Sequence, residues 1–120
     1  MDIIDRLPVC DHCRKSDISP DLVSALEILE RLLERELTYT SGVRCVDCNR
    51  VAGGAANSAH LRGLAADVYC ESSTDLFLTI KGCILAGVRR LGVGKNFIHV
   101  DVDQSLSQMC AWSYGGGSRG

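Results

Sequence analysis

Three histidines and seven cysteines stand in a chain of 120 residues, and most of the chemistry open to this sequence lies with them. His60 and Asp67 are seven positions apart. A straight helix would separate them by about 10.5 Å and a strand by about 23 Å, whereas donors to one zinc ion each lie about 2 Å from the metal. If the two act together, the chain must turn back between them, and Gly63 permits that reversal. In Phe97-Ile98-His99-Val100-Asp101-Val102, strand alternation sends Phe97, His99 and Asp101 to one face and Ile98, Val100 and Val102 to the other. The apolar face is expected to be core and the other to be wet. His60, Asp67 and His99 would then offer two imidazoles and one carboxylate to a zinc ion, with a fourth position left for water. The alternative is three unrelated polar side chains, each satisfied where it stands, and spacing alone leaves both open.

Four cysteines form two pairs at metal-ligand spacing, Cys10-x2-Cys13 and Cys45-x2-Cys48. Two such pairs can build a tetrahedral thiolate site for a structural zinc, although they stand further apart than the pairs of a usual zinc ribbon. Disulfides or plain reduced thiols are the competing readings. Cys70, Cys83 and Cys110 sit among apolar neighbours, where a buried free thiol acts as a small hydrophobe. His12, beside the first pair, reads as exposed or as an auxiliary metal ligand rather than as catalytic.

Composition limits what these groups can serve. The chain is 46% hydrophobic, 23% charged and 5% aromatic, which suits one domain with a modest aliphatic core, spanning 1–120. Residues 1–18 read as a cysteine-bearing strap over that domain, outside its core, and 113–120 as a flexible tail. Thirteen Lys and Arg against fifteen Asp and Glu give a net charge of -2 with no basic run, so nucleic acid is not an expected partner. No apolar run approaches the roughly 20 residues of a transmembrane helix. The opening residues show no secretory signal, so synthesis in the cytoplasm is expected, as is a monomer.

The elements that must position the chemistry follow from local signals. Ser19 can cap a helix with Pro20 at its first position, and Leu22, Leu26, Leu29 and Leu33 form one apolar stripe, predicting a helix over 20–36. Residues 37–41 read as a strand by their β-branched and aromatic content. From Gly42 to Gly63, glycines and small residues predict a long loop with little regular structure, and such loops are usually functional. Residues 64–70 read as a buried strand and 74–87 as a second helix capped by Ser73. Gly92 and Gly94 read as a turn before the strand 97–102. The expected fold class is α+β, a small antiparallel sheet bearing the metal site and backed by two main helices.

The run Ser41-Gly42-Val43-Arg44-Cys45, then Asn49, Gly53-Gly54, Asn57-Ser58-Ala59-His60-Leu61-Arg62-Gly63-Leu64-Ala65-Ala66-Asp67, and finally Phe97-Ile98-His99-Val100-Asp101-Val102, resembles the zinc D-alanyl-D-alanine carboxypeptidase family. That family shares its fold with the Hedgehog signalling domain and includes phage endolysins and murein endopeptidases. The resemblance spans about residues 19–112. It implies zinc ligands at His60, Asp67 and His99, and a substrate-facing role for Arg44, whose planar guanidinium can grip a carboxylate through two parallel hydrogen bonds. Ser58 would contact substrate, support a ligand or only cap its loop. Several relatives carry a catalytic carboxylate three residues before the second histidine, where this chain has Asn96. An amide cannot take a proton as a carboxylate can, so Asp101 is the expected substitute, or else the residue that orients His99.

The resemblance therefore implies a zinc hydrolase acting on D-alanine-containing peptides of peptidoglycan, as carboxypeptidase or endopeptidase, in the manner of a phage lysis or tail enzyme that reaches the cell wall. Two other readings stay beside it: a zinc-binding module of the same fold that has lost turnover, and a cysteine-zinc protein serving interaction.

Overall fold

The computed structural model describes residues 2–53 and 58–114. Gly54 and Asn57 of the family-like run lie outside the described residues, as do residues 115–120 of the expected tail. Ser19 caps α2 (Pro20–Leu33) as its position suggests, its side chain accepting from the Asp21 N–H. Leu22, Leu26 and Leu29 are wholly buried, each burial contributing about 1.5–3 kcal/mol. The helix stops short of the expected Glu36 because Glu34 adopts a left-handed cap conformation with φ 56°. The second long helix, α4 (Ser73–Leu85), starts one residue earlier than expected, and its cap is Ser72, which accepts from the Asp75 N–H.

Among the described residues, five strands form one sheet in the order β1 (Tyr39–Ser41), β2 (Ala65–Tyr69), β4 (Phe97–Asp101), β3 (Arg90–Val93), β5 (Cys110–Ser113). The class is α+β, but the sheet is mixed rather than antiparallel, because β5 runs parallel to β3. The chain leaves β4, reverses, and passes beyond its neighbour to the sheet edge. A strand that opposes β4 there must share the direction of β3, which also opposes β4. Gly92, read as a turn residue, lies inside β3. One face of the sheet carries Ala66, Val68, Leu91, Ile98 and Val100 into the core with the leucines of α2.

The strap is not excluded from that core. Ile3, Leu7 and Ile18 are buried in it, and α1 (Ile3–Arg6) packs on α2. The stretch expected as one long loop contains α3 (Val46–Val51) and a 3-10 turn at Ala59–Arg62. Local capping explains both: the Cys45 sulfur accepts from the Cys48 N–H, and the Ser58 hydroxyl accepts from the His60 N–H. No helix among the described residues is long and apolar enough to cross a membrane.

Candidate metal centre

A single row across the sheet assembles most of the site. Ser41 pairs with Asp67, Asp67 with His99, His99 with Gly92 and Gly92 with Trp112. Directly paired residues project from the same face, so strand register alone sets the Asp67 carboxylate beside the His99 ring. His60 comes from outside the sheet. Its 3-10 turn ends at Gly63, whose φ of 67° is left-handed, and the chain then enters β2 toward Asp67. The segment before α3 holds this histidine twice, since Arg44 N–H donates to the His60 carbonyl and His60 Nδ1 lies 2.7 Å from the Gly42 carbonyl oxygen.

The three expected ligands do converge. His60 Nε2 is 3.3 Å and His99 Nδ1 3.2 Å from the same atom, Asp67 Oδ1, and the two rings meet edge to face with centroids 4.9 Å apart. A tetrahedral zinc with bonds of about 2.0–2.1 Å has donor-to-donor edges of about 3.3–3.4 Å, so this spacing fits such an ion. The far nitrogens are fixed in the way that metal-ligating imidazoles require. His60 Nδ1 donates to the Gly42 carbonyl, and His99 Nε2 lies 3.0 Å from Asp101 Oδ2. Each ring is thereby left with one nitrogen facing Asp67.

The face expected to be wet is covered. His60 and Asp67 are fully buried, and His99 and Asp101 nearly so. Trp112 and Tyr114 stand over His99 with ring centroids at 5.5 and 6.4 Å, and a side chain on Gly92 would occupy the space of both rings. Burial lowers the His60 pKa despite the neighbouring Asp67, favouring the neutral ring that binds metal. Burial would raise Asp67, but its close contacts with the His60 and His99 rings outweigh it and keep the carboxyl far below its ordinary range. At His99 burial is likewise overcome, here by Asp101 and Asp67, which raise its pKa.

Arg44 and Asp101, expected to act on substrate and proton, are packed around the ligands. Arg44 is 5% exposed, and its guanidinium reaches Ser41 Oγ at 2.9 Å, Asn49 Oδ1 at 3.1 Å and Asp67 Oδ2 at 3.3 Å. Asp101 accepts from the Asp103 N–H through Oδ1, and its Oδ2 faces both His99 and Arg90 Nε at 3.2 Å. Ser58 is buried and caps the turn that carries His60. Asn96 is exposed at the turn before β4, and its carbonyl accepts from the Cys70 N–H.

The sequence reading missed Arg90, Trp112 and Tyr114 as parts of this site. The alternation Cys110-Ala111-Trp112-Ser113-Tyr114 was the available signal, since two aromatics at period two point to one face of a strand. Buried Asp103, which pairs with Arg62 and accepts from Ser105, was also missed.

The paired cysteines form a second cluster away from the sheet. Cys10 Sγ lies 2.8 Å from Cys13 Sγ and 3.4 Å from Cys45 Sγ, and Cys48 and His12 complete the group. None of the seven cysteines is in a disulfide. Cys70 and Cys83 are buried as expected, whereas Cys110 is only half-buried, its thiol 3.2 Å from the Ser107 carbonyl oxygen.

Comparison with known families gives a match over residues 4–101 to the family model described as Peptidase M15, a span that holds His60, Asp67 and His99. No curated protein matches the chain.

Proposed function

The chain belongs to the M15 peptidases, a family of the zinc D-alanyl-D-alanine carboxypeptidase type, and from that membership we propose that it hydrolyses D-alanine-containing peptide bonds of peptidoglycan. The observation that carries the metal-dependent part is the meeting of His60, Asp67 and His99 at one point, with the far nitrogen of each ring tied back. A zinc ion held by these three residues would supply a Lewis acid that polarises the scissile carbonyl.

The chain's own residues have distinct parts in this proposal. Gly42 and Asp101 hold protons at His60 Nδ1 and His99 Nε2, which sets the tautomer and ring orientation of each ligand. Both Asp101 oxygens are engaged, so we assign it to positioning His99 rather than to taking a proton from the reacting centre. Arg44 holds the second oxygen of Asp67 and thereby orients the first toward the histidines. Trp112 and Tyr114 wall the side of His99 and exclude water from it.

The test is incubation of purified protein with defined stem peptides and cross-linked muropeptides, with and without a chelator, read by mass spectrometry. The expected result is loss of terminal D-alanine or cleavage of a cross-link, abolished by chelation and restored by zinc. A second reading, a zinc-binding module without turnover, is favoured by Asn96 and by the engagement of Asp101. Bound zinc without any new amine would overturn the peptidase and leave that module.

A further inference from the structure

The cysteine cluster takes no part in the site on the sheet. It joins two segments distant in sequence, the strap through Cys10, His12 and Cys13, and the start of α3 through Cys45 and Cys48. The ligand atoms of Cys10, His12, Cys45 and Cys48 all lie within 4.8 Å of one another. A zinc ion bound to thiolates at about 2.3 Å has sulfur-to-sulfur edges of about 3.8 Å, and the 3.4 Å between Cys10 and Cys45 is close to that. Each pair is closed by its own tight turn. The Cys13 N–H donates to the Cys10 carbonyl, and the Cys48 N–H points at the Cys45 sulfur.

We propose that these residues form a second metal site, a closed thiolate site for one zinc-class divalent ion, distinct from the centre on the sheet. Cys10, Cys45 and Cys48 are three of its ligands, and the fourth comes from the turn after Cys10, as Cys13 or His12. All positions being filled by protein, the ion is structural. Its place in the chain says what it holds. Cys45 follows Arg44 directly, and Asn49, which accepts from Arg44, follows Cys48. The strap on the other side packs against the site loop at Pro8, whose carbonyl oxygen would sit 2.7 Å from a side chain on Gly42. The ion therefore clasps the strap to the helix that steadies Arg44, and through Arg44 it steadies Asp67.

The experiment counts zinc and maps thiols on the full chain purified under reducing conditions. Native mass spectrometry should find two zinc ions per chain in the parent, one in Cys10→Ser/Cys48→Ser, and one in His60→Ala/His99→Ala. Because the cysteine variant can fail to fold, alkylation of the parent is read as well. Cys10, Cys45 and Cys48 should be protected until a strong chelator is added, while Cys70 and Cys83 stay protected throughout. His12→Ala and Cys13→Ser then tell which side chain completes the site, since only the true fourth ligand lowers zinc retention.

Equal labelling of Cys10, Cys45 and Cys48 with and without chelator would overturn the inference, as would a Cys10–Cys13 disulfide found in place of metal. One zinc with protected thiols would uphold this site and remove the one on the sheet, so the two readings fail separately.

Discussion

The His99 ring bridges two carboxylates, with Nδ1 at 3.2 Å from Asp67 Oδ1 and Nε2 at 3.0 Å from Asp101 Oδ2. Asp67 and Asp101 thus occupy opposite edges of one imidazole, and only the Asp67 edge also faces His60. If Asp101 positions the ring, Asp101→Asn weakens zinc binding by about 10–100-fold, the usual effect of losing such a partner. Competition against a chromogenic chelator measures this. Full zinc affinity with lost turnover would instead make Asp101 the proton acceptor.

Arg44 is a buried cation with Ser41, Asn49 and the Asp67 carboxylate around it. Arg44→Met removes the charge and leaves a buried carboxylate beside it, which costs about 3–5 kcal/mol in the zinc-free protein. Urea unfolding measures the loss. Added zinc should restore part of it, because a bound cation again faces Asp67. A midpoint within experimental error of the parent would show that Arg44 does not hold the site together.

Gly63 closes the turn of His60 at φ 67°, and a side chain there would overlap the Asp17 carbonyl of the strap. Gly63→Ala combines left-handed strain of about 1–2 kcal/mol with that clash. Gly53, at φ 76° with no atom of the described residues close to where its side chain would stand, supplies the control. Thermal melting should place Gly63→Ala well below Gly53→Ala. Equal melting temperatures would mean that the strap yields freely at Asp17.

Part of the acid sensitivity should trace to Glu30, which ties α1 and α2 to β1. Its oxygens accept from Arg6 at 2.7 and 2.8 Å, from the Leu37 N–H at 2.9 Å and from the Tyr39 hydroxyl at 2.7 Å. Burial pushes this carboxyl up, but those donors prevail and hold it below its ordinary value. A folded pKa below the unfolded one, about 4.3, means that the unfolded chain takes up protons first as pH falls. The contribution is therefore full above that value and disappears as pH drops through the folded pKa. Glu30→Gln should be less stable than the parent at pH 7, and the gap should close in acid. Urea midpoints across that range check it, and a gap independent of pH would refute it.

Much of the local structure was legible in the chain. Ser19, Pro20 and the leucines at 22, 26 and 29 announce α2 because capping and helical periodicity act within one or two turns. The alternation from Phe97 to Asp101 likewise puts His99 and Asp101 on one face, and two of the three expected ligands stand on paired strands. The strap was misread as outside the core because Ile3, Leu7 and Ile18 follow no single period, and their burial depends on what α2 offers them. β3 was missed because Gly92 looks like a turn residue until His99 and Trp112 are seen on either side of it.

Residue types and near-neighbour spacing, being properties of the covalent chain, determined which groups could bind a metal and which segments would be helix or strand. Strand register and loop packing decided the rest. A shift of one residue between β2 and β4 would turn Asp67 away from His99 without changing a single local preference. Whether Asp101 meets the near or the far nitrogen of His99, and whether Arg44 faces outward or holds Asp67, depends on contacts between distant segments. Their energies exist only once the whole chain has folded.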